Sequence, residues 1–145
     1  MLVEKLTMKR CVFCEIAAKQ VDRDLTVYED DYVFAQVSLH QKMGNHGHVL
    51  VIPKRHVENI YELSDELNAP LMKAIRTVSI AVKNAFSAEG VMIRQNNERA
   101  AGQDVFHLHF HVIPRFKNDG FESKQYFELP IDERRKIAAK LKEEL

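Results

Sequence analysis

The chain has 145 residues, 46% apolar and 29% charged, which is enough to bury one core, leaves little room for two domains and excludes global disorder. Lys plus Arg and Asp plus Glu number 21 each, so the basic excess of a protein that tracks a nucleic-acid polymer is missing. The longest aliphatic run, 49–52, is far too short to span a bilayer, and residues 1–10 lack the apolar stretch of a secretory signal, which places the protein in the cytoplasm with no membrane partner.

In chain order, the first chemical signal is Cys11 and Cys14, the only cysteines, spaced C-x-x-C. In a reducing compartment a lone pair at that spacing reads as half of a metal site, with a redox dithiol or inert thiols as the other readings. Residues 25–28, 32–37 and 48–52 are rich in β-branched and aromatic side chains and are predicted as strands. A polar loop marked by Gly44 and Gly47 precedes the third strand, and Pro53 closes it. Leu71, Ile75, Val78, Val82 and Phe86 then recur at spacings of four and three, which makes one face of a helix. Ser64 and Asn68 are candidate caps, Pro70 fits a first turn, and Gly90 suits a left-handed terminus. Residues 91–95 and 105–113 read as two further strands, the last ended by Pro114. After Gly120 comes a less regular stretch, then a charged helix from about Ile131 with Ile137, Leu141 and Leu145 as its inner face. Strands, one long helix, more strands and a C-terminal helix indicate an α+β fold with an antiparallel sheet.

Three of the seven histidines fall within five residues: His107, His109 and His111. In a strand Phe106, Leu108, Phe110 and Val112 form one face, a core face, while the three imidazoles share the other. His107 and His111 would stand roughly 13 Å apart at the backbone, so all three cannot close on one metal without a sharp bend. The spacing implies a division of labour: one outer ring for a metal or structural partner, the central ring facing substrate, the other outer ring positioning charge. The preceding loop carries Asn96, Gly102 and Gln103, a glycine for close backbone approach and neutral donors beside it. Such a turn can hold phosphate oxygens, so the loop and an imidazole nucleophile together point to phosphoryl transfer.

The run 107–113, His-Leu-His-Phe-His-Val-Ile, resembles the signature of the histidine triad (HIT) family of nucleotide hydrolases and transferases. Ala101-Gly102-Gln103 before it, Pro114-Arg115 after it, 47–56 as a central strand and Cys11-x-x-Cys14 as the opening of a zinc-containing bacterial branch extend the match over about 9–115. The resemblance implies a five-stranded antiparallel sheet with one long helix and a C-terminal helix. It further implies one HIT domain over 1–145, with 116–145 as a C-terminal extension, and a homodimer. It makes His109 a nucleophile that attacks the α-phosphorus of a purine nucleotide or nucleotide conjugate, with His111 and His48 as its catalytic neighbours. Asn96, Gly102, Gln103 and Asp104 match positions at the phosphate. Gln36 matches the ribose position, and Ile16, Val21, Phe34 and Val37 match apolar residues around the base. Cys11, Cys14, His56 and His107 match four zinc ligands of a structural site; His40 and His46 have no implied role.

Three departures from the family pattern bear on substrate. Gln36 stands where the family usually has Asp, followed by a longer loop over 38–46. Asp104 stands where Ser or Thr is common, and Glu98 replaces a common glycine. The leading reading is a hydrolase or transferase that cleaves a nucleoside monophosphate from a phosphoramidate or dinucleoside polyphosphate through a nucleotidyl-histidine. Gln36 and Asp104 motivate the alternative of a nucleotide-binding module with vestigial catalysis, and a metal-dependent hydrolase is a third class.

Overall fold

The computed structural model describes residues 11–18 and 21–145; the expectation about residues 1–10 lies outside them. The elements are α1 (Val12–Ala17), β1 (Thr26–Glu29), β2 (Val33–Val37), β3 (His40–Lys42), β4 (Val49–Pro53), α2 (Asn68–Ala85), β5 (Gly90–Arg94), β6 (Phe110–Arg115), β7 (Tyr126–Glu128) and α3 (Ile131–Lys142). Five strands form an antiparallel sheet in the order β1-β2-β4-β6-β5, and β3 pairs with β7 in a separate two-stranded sheet. The α+β fold with a long helix and a C-terminal helix is the architecture expected.

One sheet face carries Val33, Ala35 and Val37 of β2 with Val49 and Val51 of β4, all buried against Leu71, Ile75, Val78 and Val82 of α2 and Ile137 and Leu141 of α3. Burying each of the Val, Leu and Ile side chains contributes about 1.5–3 kcal/mol before chain entropy is counted. The opposite face is covered locally by α1, where Phe13 and Ile16 pack on Phe34 and Ile52. This explains why β2 is buried along its whole length rather than on alternate residues.

Helix α2 has no side-chain cap; it continues from a 3-10 turn over Asp65–Leu67, so neither Ser64 nor Asn68 closes it. Its far end is turned by Ser87, at φ 50, and Gly90 instead opens β5 with an ordinary backbone. Leu145 is 44% exposed because α3 stops at Lys142, short of the next inward turn.

The histidine segment also differs from expectation. The ladder begins at Phe110 and runs through Pro114 to Arg115. Residues 105–109 have no strand partner, since β4 pairs only as far as Phe110 and β5 ends opposite His111. They are tied instead by Leu108 N–H to the Val57 carbonyl at 2.6 Å. Pro114 is tolerated because it lies past the end of β4 and pairs only with β5.

The loop over 38–46 and the stretch after Gly120 combine as the β3–β7 ribbon, too short and polar to show a pattern. Buried Gln41 closes the loop, donating to the Ser38 and His48 carbonyls and accepting from Gly47 and His48 N–H. Gly47 is needed there: its φ is +118, and a Cβ would meet the Phe86 ring at 2.6 Å. Lys42 Nζ donates to the Phe121 carbonyl at 2.7 Å and sits over that ring. Asp119 accepts from Arg115, Asn45 and two backbone N–H groups, and the Arg115 guanidinium foremost holds its carboxyl well below the usual range. These bonds seat the ribbon beside β4 and β6.

Candidate functional site: an imidazole cavity beside a cysteine–histidine cluster

Register sets the site. Gln36 pairs with Leu50, Leu50 with His111, and His111 with Arg94, so these four residues form a row across β2, β4, β6 and β5 on one sheet face. The row floors a cavity of about 600 Å³, walled by α1 (Val12, Phe13, Ile16), by the loop residues Asn96, Gly102 and Asp104, and by Tyr126 and Arg134 from the C-terminal segment. His48 and His109 also line it.

The imidazoles divide into two groups. His107 is fully buried, and its Nε2 lies 2.7 Å from the Pro53 carbonyl. A carbonyl only accepts, so Nε2 carries the proton and Nδ1 keeps a lone pair. That lone pair faces Cys11 Sγ at 3.3 Å and Cys14 Sγ at 3.5 Å, and Cys14 Sγ is 3.3 Å from His56 Nδ1. Zinc–ligand bonds of 2.0–2.3 Å in a tetrahedron imply sulfur–nitrogen separations of roughly 3.6 Å. The four donor atoms all lie within 4.8 Å of one another. Two sulfurs and two nitrogens at these separations, with one histidine tautomer fixed by a carbonyl behind it, fit a closed four-coordinate metal site. Burial, with Cys11 beside it, pushes the Cys14 thiol up to about 12, so a thiolate there needs a bound cation.

The same argument applies to His109 with opposite consequence. Its Nδ1 lies 2.7 Å from the His107 carbonyl and must donate, so in the neutral ring the lone pair sits on Nε2, toward the cavity. Phe13 holds the ring edge-on at 5.2 Å between centroids. His48 Nε2 and His111 Nδ1 are 2.8 Å apart, so one of them donates. His48 Nδ1 is buried without a hydrogen-bond partner among the described residues. A buried orphan N–H is rarer than a buried orphan acceptor, which puts the proton on His48 Nε2. His111 then accepts at Nδ1 and keeps Nε2–H as a donor. Two neighbouring rings, 5.0 Å apart at their centroids, thus offer one lone pair and one N–H.

The phosphate-loop expectation needs amendment. Gly102 takes φ +91, and a Cβ there would meet Asn96 Nδ2 at 3.3 Å, so glycine keeps Asn96 close. Gln103 does not face the cavity: its Nε2 donates to the Glu58 and Val105 carbonyls and its Oε1 accepts from Glu98 N–H. That clamp, with Tyr61 donating to the Glu98 carboxylate, holds Glu98 at φ 70, a glycine-like conformation that costs about 1–3 kcal/mol. These bonds hold the loop in that conformation with Glu98 in place. Phe34 is likewise behind the wall, packed under Phe13 and Ile16, and Val21 is 38% exposed and outside the lining. Asp104 Oδ1 lies 3.8 Å from His109 Nε2 with its side chain 79% exposed.

Sequence reasoning missed Arg94, Tyr126, Arg134 and His40 on the wall. For Arg94 a signal existed, a lone cation in a strand next to the histidine run; His40 and Tyr126 lie in the unforeseen ribbon, and Arg134 reaches the wall from α3.

A sheet of this order with a long helix on one face and paired imidazoles on the other defines a class, and comparison gives the family. The HIT domain model matches residues 19–118. The Protein hit of Bacillus subtilis is 42% identical over 114 residues, 78% of this chain and 77% of that protein. An adenosine 5'-monophosphoramidase of Schizosaccharomyces pombe is 34% identical over 105 residues, 72% of this chain and 74% of that protein. A HIT-like protein of Bartonella henselae superposes with a TM-score of 0.81 at 34% identity, covering 94% of this chain and 97% of that one. A zinc-bound histidine triad protein of Mycobacterium smegmatis superposes with a TM-score of 0.77 at 29% identity, covering 95% and 94%. The chain belongs to the HIT domain family. Among the described residues no helix is long and apolar enough to cross a membrane.

Burial pushes His107 and His111 down to about 4 and His48 well below its ordinary value of 6.5. Between about pH 4 and 6.5 the unfolded chain therefore binds more protons than the folded one, and stability rises with pH across that window. The urea midpoint is expected to be higher at pH 7 than at pH 5, and His111→Gln to shrink the difference. An equal midpoint at both values would contradict the burial argument.

Proposed function

We propose that this protein is a nucleotidyl hydrolase or transferase that releases a nucleoside monophosphate from a phosphoramidate or phosphoanhydride through a covalent intermediate on His109. The observation that carries the reading is the 2.7 Å bond from His109 Nδ1 to the His107 carbonyl, which in the neutral ring leaves the lone pair on Nε2, the nitrogen at the cavity. The Nε2 lone pair attacks the α-phosphorus; the bond to the leaving group breaks, and the leaving group takes the electron pair and a proton from water at the cavity mouth. A water oxygen then attacks the same phosphorus, the phosphorus–nitrogen pair returns to Nε2, and the spare proton leaves to solvent. His111 Nε2–H, Asn96 and the backbone at Gly102 steady the phosphate oxygens, and His48 holds the His111 tautomer. Gln36 takes the ribose, and Ile16 flanks the base; the Val37 side chain is turned to the core against α2 and does not reach it. Support comes from relatives named as an adenosine 5'-monophosphoramidase and an adenylylsulfatase, at 34% identity each.

The cysteine–histidine cluster is proposed to hold one structural zinc through Cys11, Cys14, His56 and His107. With four protein ligands it has no open position, and its contribution is to fix α1 and His107. The free thiols suit a reducing cytoplasm. The whole chain is read as one HIT domain with 116–145 as an extension, acting as a homodimer. The vestigial-module alternative keeps one observation in its favour, the exposed Asp104 carboxylate beside His109.

His109→Ala should lower turnover of an adenosine phosphoramidate roughly a thousandfold or more while the fold persists by circular dichroism; retained turnover would remove His109 as nucleophile. Elemental analysis should find about one zinc per chain, and Cys14→Ser should lose most of it together with several degrees of melting temperature. A metal-free wild type of equal stability would contradict the zinc assignment.

A further inference from the structure

The cross-strand row continues past the phosphate position. Gln36, Leu50, His111 and Arg94 follow one another across four adjacent strands, spaced about 4.8 Å apart. If the ribose sits at Gln36 and the α-phosphate at His111, the next group along the row faces Arg94. We propose that Arg94 forms the leaving-group subsite and selects anionic leaving groups, so that a phosphoanhydride such as a dinucleoside polyphosphate is favoured over an amine-leaving phosphoramidate. This rests on the hydrolase reading above and names its substrate class.

Arg94 lines the cavity with its side chain 33% exposed, and its Nη2 pairs with Glu122 Oε1 at 2.6 Å. Glu122 is 69% exposed, and an exposed pair of this kind is worth little, so a substrate phosphate can replace or share it. Apart from that bond and a long contact to the Met92 sulfur, Arg94 forms no hydrogen bond among the described residues that would occupy its remaining donors. A guanidinium fork matches phosphate or sulfate oxygens with two parallel bonds. The opposing charge, Asp104, is 79% exposed at the mouth, and its Oδ1 already accepts from Val105 N–H. Asp22 and Arg134, the other fully charged lining residues, are of opposite sign to each other.

The test compares kcat/KM for diadenosine tetraphosphate and for an adenosine phosphoramidate of a neutral amine, in wild type, Arg94→Gln and Arg94→Lys. The ratio of the first to the second should fall roughly tenfold or more in Arg94→Gln and recover in part in Arg94→Lys. An unchanged ratio in Arg94→Gln overturns the subsite. The hydrolase reading is judged separately: a wild type that turns over neither substrate and forms no His109 adduct defeats that reading. The subsite is then decided by calorimetry with ADP and AMP. Tighter binding of ADP that disappears in Arg94→Gln supports it, and equal ADP and AMP affinities in the wild type overturn it.

Discussion

His107 uses three of its polar groups at once: the ring Nε2–H goes to the Pro53 carbonyl, Nδ1 faces the two cysteine sulfurs, and the backbone carbonyl accepts from His109. This residue joins the end of β4, helix α1 and the cavity imidazole at one fully buried point. The segment it sits in has no strand partner, so side-chain and carbonyl bonds replace the ladder that would otherwise hold it. Loss of the cluster would therefore act on His109 through backbone position. The cysteine–histidine cluster and the orientation of the cavity imidazole thus depend on one residue.

Within a wall that carries Asp22, Arg94, Asp104 and Arg134, the buried rings are the uncharged part of the site. His48 and His111 are kept neutral chiefly by burial, with neighbouring rings and Arg94 adding to the effect. Neutral rings can each present one donor and one acceptor; a carbonyl decides which atom does which in His107 and His109, and the His48–His111 bond does so in His111. Loop strain at Glu98 and the φ +91 of Gly102 are the local costs of bringing Asn96 to the same wall. Gln103, whose side chain spans Glu58, Glu98 and Val105, holds that loop in place.

The amino-acid sequence made the sheet, the long helix and the imidazole face legible because apolar alternation and three- and four-residue spacing are carried by buried Val, Ile and Leu. The gathering of Cys11, Cys14, His56 and His107 was legible only through family resemblance; no spacing rule brings residue 14 to residue 107. Gln103 and Phe34 were misplaced because a strand or loop pattern gives the side a residue faces, not which neighbour stands in front of it. The β3–β7 ribbon escaped because two three-residue strands held by Gln41, Lys42 and Asp119 have no periodic signature. Its consequence, Tyr126 on the cavity wall, escaped with it.

A nucleophilic role for His109 requires the proton on Nδ1, where the His107 carbonyl accepts it, and a bare Nε2. Nitrogen-15 NMR of the histidine side chains near neutral pH should show His109 protonated at Nδ1 and bare at Nε2. A ring found protonated at Nε2 would have no lone pair to offer phosphorus and would contradict the account directly.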